Sequence, residues 1–371
     1  MPAPYRADHV GSLKRSLQLI QAHQAHDQGT LADEALRALE DGEIAAAIRM
    51  QEEVGIDVLS DGELRRGGWT GDFVFAVDGF ERGEAPVKLH WANRPTDPRQ
   101  TPPAWIIAKP LTQRTRFTKK EADFLKSHAD RPWKITLPAA SYLVARGWKP
   151  GVSDKVYPDR AAALAAVAAI LRAEIEALIA EGVNYVQIDN PHYPDYLMEN
   201  VQAQWRDLGI EPSQALAEDI AADNATVAGL RRGDVAVAMH FCRGNGGSAL
   251  WHSEGSYEPI AEQCFGGLDY DRFLLEYDTE RAGGFEPLRF VPKRKIAVLG
   301  LVSTKVGSLE SADQIRRRLD EAARFAPLES LALSPQCGFS STLLGNDVDP
   351  DQQRRKLALV VEVARKVWGN A

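Results

Sequence analysis

The chain has 371 residues, with 44 basic and 52 acidic side chains and a formal net charge of -8 at pH 7. This acidic balance argues against nucleic acid or an anionic membrane as the main partner. No apolar run approaches the roughly 18–20 residues that span a bilayer, and the N-terminal stretch lacks the apolar core of a signal peptide. The cysteines number three, too few for a disulfide framework, so we expect a reducing, cytoplasmic location.

Short apolar runs alternate with segments of helical periodicity along the chain. The eight strand candidates lie near residues 5, 57, 134, 184, 235, 273, 295 and 331. Apolar strands separated by helices predict a parallel sheet, and eight such units predict one domain over residues 1–371, an α/β fold of the (β/α)8 TIM barrel type. An open, doubly wound sheet is the alternative, disfavoured because no Gly-x-Gly-x-x-Gly follows the first strand.

One long segment, residues 65–132, interrupts this rhythm after the second predicted strand. It is rich in proline, glycine and tryptophan. A structureless loop of this length is improbable in a compact domain, so we interpret it as an insertion that forms a lid, an extension or a dimer contact. The sequence leaves the oligomeric state open, and a homo-oligomer is compatible with it.

The clearest chemical signal is the run from Val235 to Ser248, a strand that ends in polar residues and a glycine-rich loop. His240 and Cys242 lie two positions apart, so on a strand they point to the same face. In a barrel, catalytic groups gather at the C-terminal ends of the strands. The other predicted strand ends carry a further set of ionisable or polar residues: Ser12, Glu63, Asp189, Glu276, Ser303 and Cys337.

Together, His240, Cys242, Glu276 and Cys337 offer one nitrogen, two sulfurs and one oxygen, a plausible tetrahedral zinc set. Each residue alone also has a plainer interpretation. Cys337 could be a small buried apolar side chain, and His240 a hydrogen-bonded core histidine. Glu276 could pair with a nearby arginine: Arg272, Arg281 or Arg289.

The motifs around these residues resemble the catalytic half of cobalamin-independent methionine synthase, and more closely its shorter, single-barrel relatives. The resemblance rests on a His-x-Cys pair, a Glu about thirty residues later and a distal Cys, and it covers nearly the whole chain. The matching segments are His9–Ser12, Ser60–Arg66, Gln187–Pro191, Met239–Asn245, Leu275–Asp278, Phe285–Arg289 and Ser334–Phe339.

The resemblance implies a zinc ion, Zn2+, as cofactor, held by the four residues of the candidate set. It also implies that the amino and carboxyl groups of homocysteine are bound by three residues: Ser12, Glu63 and Asp189. Three more residues stand near predicted strand ends and are candidates to protonate a leaving group: His9, His192 and Tyr193.

The sequence departs from the synthase in two places. Because the first predicted strand lies near residue 5, we expect no counterpart of the synthase's separate N-terminal barrel. In addition, Asn190 replaces a carboxylate after Gln187-Ile-Asp. The first departure bears on which molecule donates the methyl group. The second bears on whether the acceptor is an amino-acid thiol.

We therefore expect a zinc-dependent thiol alkyltransferase, most simply one that methylates homocysteine to methionine. Its partners are then a small-molecule thiol and a folate or another methyl carrier. A transferase that joins an epoxide to a coenzyme M-type thiol is the alternative on the same scaffold, although its sulfonate acceptor calls for a basic pocket in place of Glu63 and Asp189. A metal-binding barrel without catalysis is the alternative from another class.

Overall fold

The computed structural model describes residues 3–92, 104–246 and 250–369. The strands in these ranges are β1 Val77–Gly83, β2 Ala104–Gln113, β3 Lys134–Pro138, β4 Tyr185–Asp189, β5 Ala236–Phe241, β6 Arg272–Glu276, β7 Ile296–Val302 and β8 Leu331–Pro335. The α-helices are α1 Leu17–Asp27, α2 Asp33–Val54, α3 Gly71–Ala76, α4 Lys119–His128, α5 Ala140–Gly147, α6 Arg160–Glu181, α7 Glu199–Asp207, α8 Pro212–Val227, α9 Glu258–Gly267, α10 Ala312–Ala322 and α11 Pro350–Trp368.

The fold is of the mixed α/β class, with a parallel six-stranded sheet in the order β3-β4-β5-β6-β7-β8. Each neighbouring pair is parallel and in regular register through β7, so the C-terminal ends of the strands lie along one edge. Asp189 pairs with His240 across β4 and β5, and Glu276 pairs with Gly300 across β6 and β7. Six of the predicted strands are thus observed.

The two predicted strands near residues 5 and 57 are each reduced to a single bridge. Ala7 makes a parallel bridge to Leu333 of β8, and Leu59 makes one to Trp133, just before β3. The Asp57 carboxylate accepts a hydrogen bond from the backbone N–H of Ala7 at 2.8 Å. Because a side chain takes the place of a backbone carbonyl there, a regular ladder does not form between these two segments.

The two faces of the sheet carry different side chains, as strand alternation requires. On β5, Val237, Met239 and Phe241 belong to the larger apolar core, which includes residues of the surrounding helices. Ala236 and Ala238 belong to a smaller apolar cluster on the opposite face. His240 follows their alternation, so its side chain emerges on the same face as this smaller cluster.

Helix ends follow local sequence signals. Helix α6 begins directly after Asp159, whose side chain accepts from the backbone N–H of Ala162 at 2.8 Å. At the start of α11, the Asp349 carboxylate accepts from the N–H of Gln352, and the Gln352 side chain accepts from the N–H of Asp349. These reciprocal bonds satisfy N–H groups that lack partners within the helix. In the described part of the chain, no helix is both long and apolar enough to cross a membrane.

The segment 65–132 is more ordered than its irregular sequence suggests. It contains α3, the antiparallel pair β1–β2 and α4, while residues 93–103 of it lie outside the described ranges. The hairpin register shifts at Gly79, where φ is +111° and an added Cβ would lie 2.7 Å from the carbonyl oxygen of Lys109. This bulge interrupts the alternation by which a strand is recognised in sequence.

Candidate metal centre and substrate site

Four side chains with metal-binding atoms meet at the C-terminal edge of the sheet. His240 lies near the end of β5, Cys242 follows that strand, Glu276 ends β6 and Cys337 follows β8. Their ligand atoms all lie within 4.8 Å of one another. The sulfurs of Cys242 and Cys337 are 3.4 Å apart, and both cysteines are free thiols. We call these four residues the metal cluster, because their spacing suits a single metal ion.

The imidazole of His240 is oriented by one nitrogen and open at the other. Its Nδ1 lies 3.2 Å from the carbonyl oxygen of Leu274, to which it donates. The Nε2 atom is buried and has no hydrogen-bond partner among the described residues. Burying such an atom without a partner costs free energy, whereas an outer hydrogen bond at the other nitrogen is the usual arrangement of a metal-binding histidine.

The Glu276 carboxylate is held by two donors that lie outside the metal cluster. Its Oε1 accepts from the backbone N–H of Arg243 at 2.6 Å, and its Oε2 accepts from the Arg281 guanidinium at 2.8 Å. Burial would raise the pKa of Glu276, but Arg281 and Lys305 hold it below its usual range. The group is therefore a carboxylate. The arginine partner considered from the sequence is present, and it orients Glu276 without removing it from the cluster.

The two thiols of the metal cluster differ in their tendency to ionise. The Cys242 thiol donates to Cys337, and this hydrogen bond, together with His240, outweighs burial and lowers the pKa of Cys337 to about 5. The same hydrogen bond and burial raise the pKa of Cys242 well above its usual range. Cys337 is therefore a thiolate near neutral pH, and the thiolate is the form that binds a metal.

A lysine and an asparagine, neither of them a predicted site residue, hold the two cysteine loops in place. Lys305 donates through Nζ to the carbonyl of Gly244 at 3.0 Å and to the Asn245 side chain at 3.2 Å. Asn245 in turn donates to the carbonyl of Gly338 at 2.7 Å. The loop after Cys242 is thereby tied to the loop after Cys337. The one sequence signal was a lysine just beyond an apolar strand, which is weak by itself.

Asp189 lies beside the metal cluster, because it is in register with His240 on the neighbouring strand. Its Oδ1 accepts from the side-chain amide of Gln187 at 2.7 Å. Burial raises the pKa of Asp189 to about 7; His240 opposes this shift, and the nearby Glu63 adds to it. Gln187 shares a face of β4 with Asp189 at a spacing of two, the signal that could have identified it as a partner.

Ser12 and Glu63, the other two predicted substrate residues, come from the loops after the first two predicted strands. The Ser12 hydroxyl accepts from the N–H of Ser340 at 3.3 Å. A Cβ at Gly338 would lie 1.9 Å from this hydroxyl, so only glycine fits beside Cys337. Glu63 accepts from the Thr136 hydroxyl at 2.9 Å, and burial raises its pKa against the opposing effect of Arg66.

His9, predicted as a proton donor to a leaving group, is buried and bonded to the backbone. Its Nε2 lies 3.0 Å from the carbonyl oxygen of Val58, to which it donates. Burial and the neighbouring Lys134 lower the pKa of His9 to about 3. The imidazole is therefore neutral near pH 7, and its proton is engaged by the backbone.

His192 and Tyr193 also have structural roles, on the helix side of the sheet. The Tyr193 ring stacks on Phe241, whose side chain points away from the face that carries His240, and its hydroxyl donates to Asp223 of α8 at 2.9 Å. His192 places Nε2 2.9 Å from a carboxylate oxygen of Asp219, also on α8. Both side chains contact α8 and not the metal cluster, because position near a strand end does not determine which face a loop side chain covers. Their role as proton donors stays a prediction.

The fold and site define an α/β protein with a parallel sheet and a His, Cys, Glu and Cys group at its C-terminal edge that could hold a metal ion. Comparison with known proteins specifies the family. The model of the cobalamin-independent synthase catalytic domain matches residues 6–366. The chain belongs to this family of methionine synthase-like methyltransferases.

Individual relatives share most of their length with this chain. The uncharacterized protein YxjH of Bacillus subtilis (strain 168) is 37% identical over 373 residues, which cover 99% of this chain and 95% of that protein. The methionine synthase of Pyrococcus abyssi is 22% identical, with 89% of this chain and 85% of that protein covered. The crystal structure of the putative vitamin-B12-independent methionine synthase from Listeria monocytogenes superposes with a TM-score of 0.76, 28% identity and 100% of both chains covered.

Proposed function

We propose that this protein is a zinc-dependent thiol alkyltransferase that transfers a methyl group to the sulfur of homocysteine and so forms methionine. The observation that carries the proposal is the metal cluster with its open Nε2 on His240. Two thiols, an imidazole and a carboxylate are the donor set that zinc prefers. Family membership and relatives named methionine synthase support the methyl acceptor.

Zinc, when bound, would keep the acceptor's sulfur as a thiolate near neutral pH, because coordination to a metal deprotonates a thiol. The protein's own part is to hold the ligands in place. The Leu274 carbonyl orients His240, so that Nε2 is directed away from it. Arg281 and the N–H of Arg243 fix the Glu276 carboxylate, and the fixed ligands require little rearrangement when substrate binds.

Glu63 and Asp189 are proposed to bind the ammonium group of the substrate, and Ser12 its carboxylate. Both acids are buried, and burial raises the pKa of each. A cation between two buried carboxylates relieves this cost. An amino-acid thiol brings such a cation, whereas a sulfonate thiol of the coenzyme M type brings only a second anion. The geometry therefore favours homocysteine over the alternative acceptor.

We also propose that the six-stranded sheet is part of an eight-stranded closed barrel within a single domain. Three observations support closure: the parallel bridge of Ala7 to Leu333, the parallel bridge of Leu59 to Trp133, and a 3.1 Å hydrogen bond from the N–H of Asp57 to the carbonyl of Ala7. Residues from both short segments also join strand residues in the smaller apolar cluster. A crystal structure would test the closure directly.

The insertion is proposed to act as a lid over the loop that follows β5. The N–H of Ala92 donates to the carbonyl of Trp251 at 2.8 Å. The Trp91 ring lies edge-on to His252, with ring centroids 5.1 Å apart. An added Cβ at Gly246 would lie 2.9 Å from the Trp91 ring. The insertion therefore reaches the glycine-rich loop that begins at the metal cluster.

Metal content and methyl transfer, measured on the same preparations, test the function. We expect about one zinc per chain by mass spectrometry in the wild type and much less in Cys337→Ser. Cys264→Ser is the matched control, because Cys264 is buried on α9 outside the metal cluster. Methionine formation is then measured with L-homocysteine and 5-methyltetrahydrofolate carrying one or three glutamates.

The outcomes separate the alternatives. Zinc-dependent methionine formation supports the proposal, and the preferred donor identifies the carrier. Turnover of an epoxide with coenzyme M, without turnover of homocysteine, would establish the other transferase. Bound zinc without either reaction would favour a non-catalytic metal-binding protein, and a wild type that binds no zinc after metal-replete purification would overturn the mechanism.

A further inference from the structure

The insertion carries a buried carboxylate, Glu121 of α4, that pairs with Arg66. The Arg66 Nε and Nη2 atoms donate to the two oxygens of Glu121, each at 2.7 Å. Both side chains are buried, with 4% and 3% of their surface exposed. A bidentate, buried pair of this kind has one preferred geometry. Glu121 therefore fixes the position of the Arg66 guanidinium.

Arg66, held in this position, donates two hydrogen bonds to Thr136 in the middle of β3. Its Nη1 donates to the Thr136 hydroxyl at 2.9 Å, and its Nη2 donates to the Thr136 carbonyl at 3.0 Å. A hydroxyl has one proton to donate. Because the Thr136 oxygen accepts from Arg66, its proton is directed to Glu63, whose Oε1 lies 2.9 Å away. A continuous chain of hydrogen bonds thus joins the insertion to Glu63.

The backbone of Glu63 is held as firmly as its side chain. Its φ of +57° is in the left-handed region, which is strained for a non-glycine residue. The N–H of Glu63 donates to Asp61 at 2.9 Å, and its carbonyl accepts from the Arg15 guanidinium at 2.5 Å. The structure around Glu63 therefore supports a strained conformation that points its carboxylate in one direction.

The surroundings of Glu63 contain more acid than base. Four buried or partly buried carboxylates lie around the guanidinium groups of Arg15 and Arg66: Asp61, Glu63, Asp72 and Glu121. Asp61 Oδ2 is buried and has no hydrogen-bond partner in the described ranges. These four carboxyl groups outnumber the two guanidinium groups, and an ammonium group is the complementary substrate feature.

We propose that Glu121 is a positioning residue: through Arg66 and Thr136 it orients Glu63 toward the substrate's ammonium group and so makes the enzyme selective for amino-acid thiols. The inference rests on the proposed function and adds to it the residues that determine this selectivity. It assigns the insertion a part in substrate recognition in addition to covering the site.

The test compares L-homocysteine with its des-amino analogue, 4-mercaptobutanoate, on zinc-loaded enzyme. Thr136→Val removes the hydroxyl with little change of shape, and Glu121→Gln breaks the bidentate pair. We expect both variants to bind homocysteine roughly 10–100-fold more weakly, the usual effect of losing a hydrogen bond to a charged group. Binding of the analogue, zinc content and kcat should remain close to wild type, so that the change appears in KM for homocysteine and in its calorimetric Kd.

Two controls separate positioning from general damage. Thr136→Ser keeps the hydroxyl and should restore most of the homocysteine affinity. Glu81→Gln changes an exposed carboxylate of the same insertion, which pairs with Lys109 at 2.8 Å, and should change neither thiol's affinity. If Glu121→Gln does not fold, Thr136→Val alone tests whether Glu63 is positioned through this chain of hydrogen bonds.

Each remaining outcome has one meaning. If Thr136→Val keeps the wild-type ratio of homocysteine to analogue affinity, the positioning role is overturned while the proposed function stands. If the wild type itself shows no preference for homocysteine over the analogue, recognition of the ammonium group by Glu63 is wrong, and the positioning role is overturned with it. If the wild type binds neither thiol, the proposed function fails.

Discussion

The sheet holds two buried groups of ionisable side chains, one at each end of its strands. The metal cluster lies at the C-terminal edge. The other group, which we call the lower cluster, lies at and before the N-terminal edge: Asp8, Lys134, Tyr185 and Arg272. Apart from the partly exposed Cys242, the residues of both clusters are buried, and yet the clusters differ in how completely their polar atoms are satisfied.

In the lower cluster, the protein supplies nearly every partner. The Lys134 ammonium has three protons and three acceptors, namely Asp8 at 3.0 Å, Gln187 at 2.9 Å and the carbonyl of His9. The other Asp8 oxygen accepts from the Tyr185 hydroxyl at 3.0 Å. A buried ion pair that is completed in this way holds the fold in one arrangement. Among the described residues, Arg272 Nε is the one side-chain nitrogen or oxygen of the lower cluster without a hydrogen-bond partner.

In the metal cluster, partners are missing. His240 Nε2 has none among the described residues, and the two thiols contact each other. An unsatisfied buried group persists in a stable protein when a ligand completes it. Burial and charge therefore do not by themselves mark a binding site. The metal cluster is distinguished by four metal-binding side chains that converge around an imidazole nitrogen without a partner.

The largest loss of stability is expected at Lys134. Lys134→Met leaves Asp8 buried without its main partner, and we expect a loss of about 3–5 kcal/mol in the free energy of unfolding, measured by urea denaturation of the metal-free protein. The double variant Asp8→Leu, Lys134→Met should recover much of this loss, because it leaves no charge unpaired. A single-variant loss below about 1 kcal/mol would show that the pair does not stabilise the fold.

Cys242 is expected to show the opposite pattern, a large loss of zinc affinity with little change in the free energy of unfolding. Cys242→Ser removes a proposed ligand, and zinc affinity should fall by more than about 100-fold, since even outer partners of a ligand are worth about 10–100-fold. The free energy of unfolding of the metal-free protein should change by less than about 1 kcal/mol, because the thiol is partly exposed and the change is small. A competition titration with a chelator measures the affinity. Unchanged zinc affinity would remove Cys242 from the ligand set.

A smaller effect is expected at Arg281, which orients Glu276 without entering the metal cluster. Arg281→Met should lower zinc affinity by about 10–100-fold. Arg289→Met is the matched control, because Arg289 is an exposed arginine that pairs with Glu258. Equal affinities in the two variants would contradict the orienting role of Arg281.

The smallest effect concerns pH. Burial would raise the pKa of Asp8, but Lys134 and Arg272 hold it below its usual range. A carboxyl group whose pKa is lowered by folding contributes stability above its unfolded pKa of about 3.9, and this contribution is lost as pH falls toward the folded pKa. We expect the unfolding free energy of the wild type to decrease below about pH 4, and less steeply in Asp8→Asn. Equal slopes would show that Asp8 is not part of the acid response.

Much of the site was visible in the sequence because local patterns determine it. Apolar runs predicted six strands that are observed, and the alternation along β5 predicted that His240 and Cys242 share a face. Glu276 and Cys337 were predicted from their positions at the ends of strands, and the structure places both beside His240 and Cys242. Their roles as ligands remain predictions.

The tertiary structure decided what local patterns do not encode. Cys242 and Cys337 are 95 positions apart, and Arg66 and Glu121 are 55 apart, so their contacts depend on how the loops pack. The same holds for Tyr193, which stands near a strand end but faces the helices, and for the hairpin hidden in the insertion. Sequence alone specifies which face of its own element a side chain takes. Which partners it meets there, and whether they leave it satisfied or open to a ligand, is set by chain segments distant in sequence.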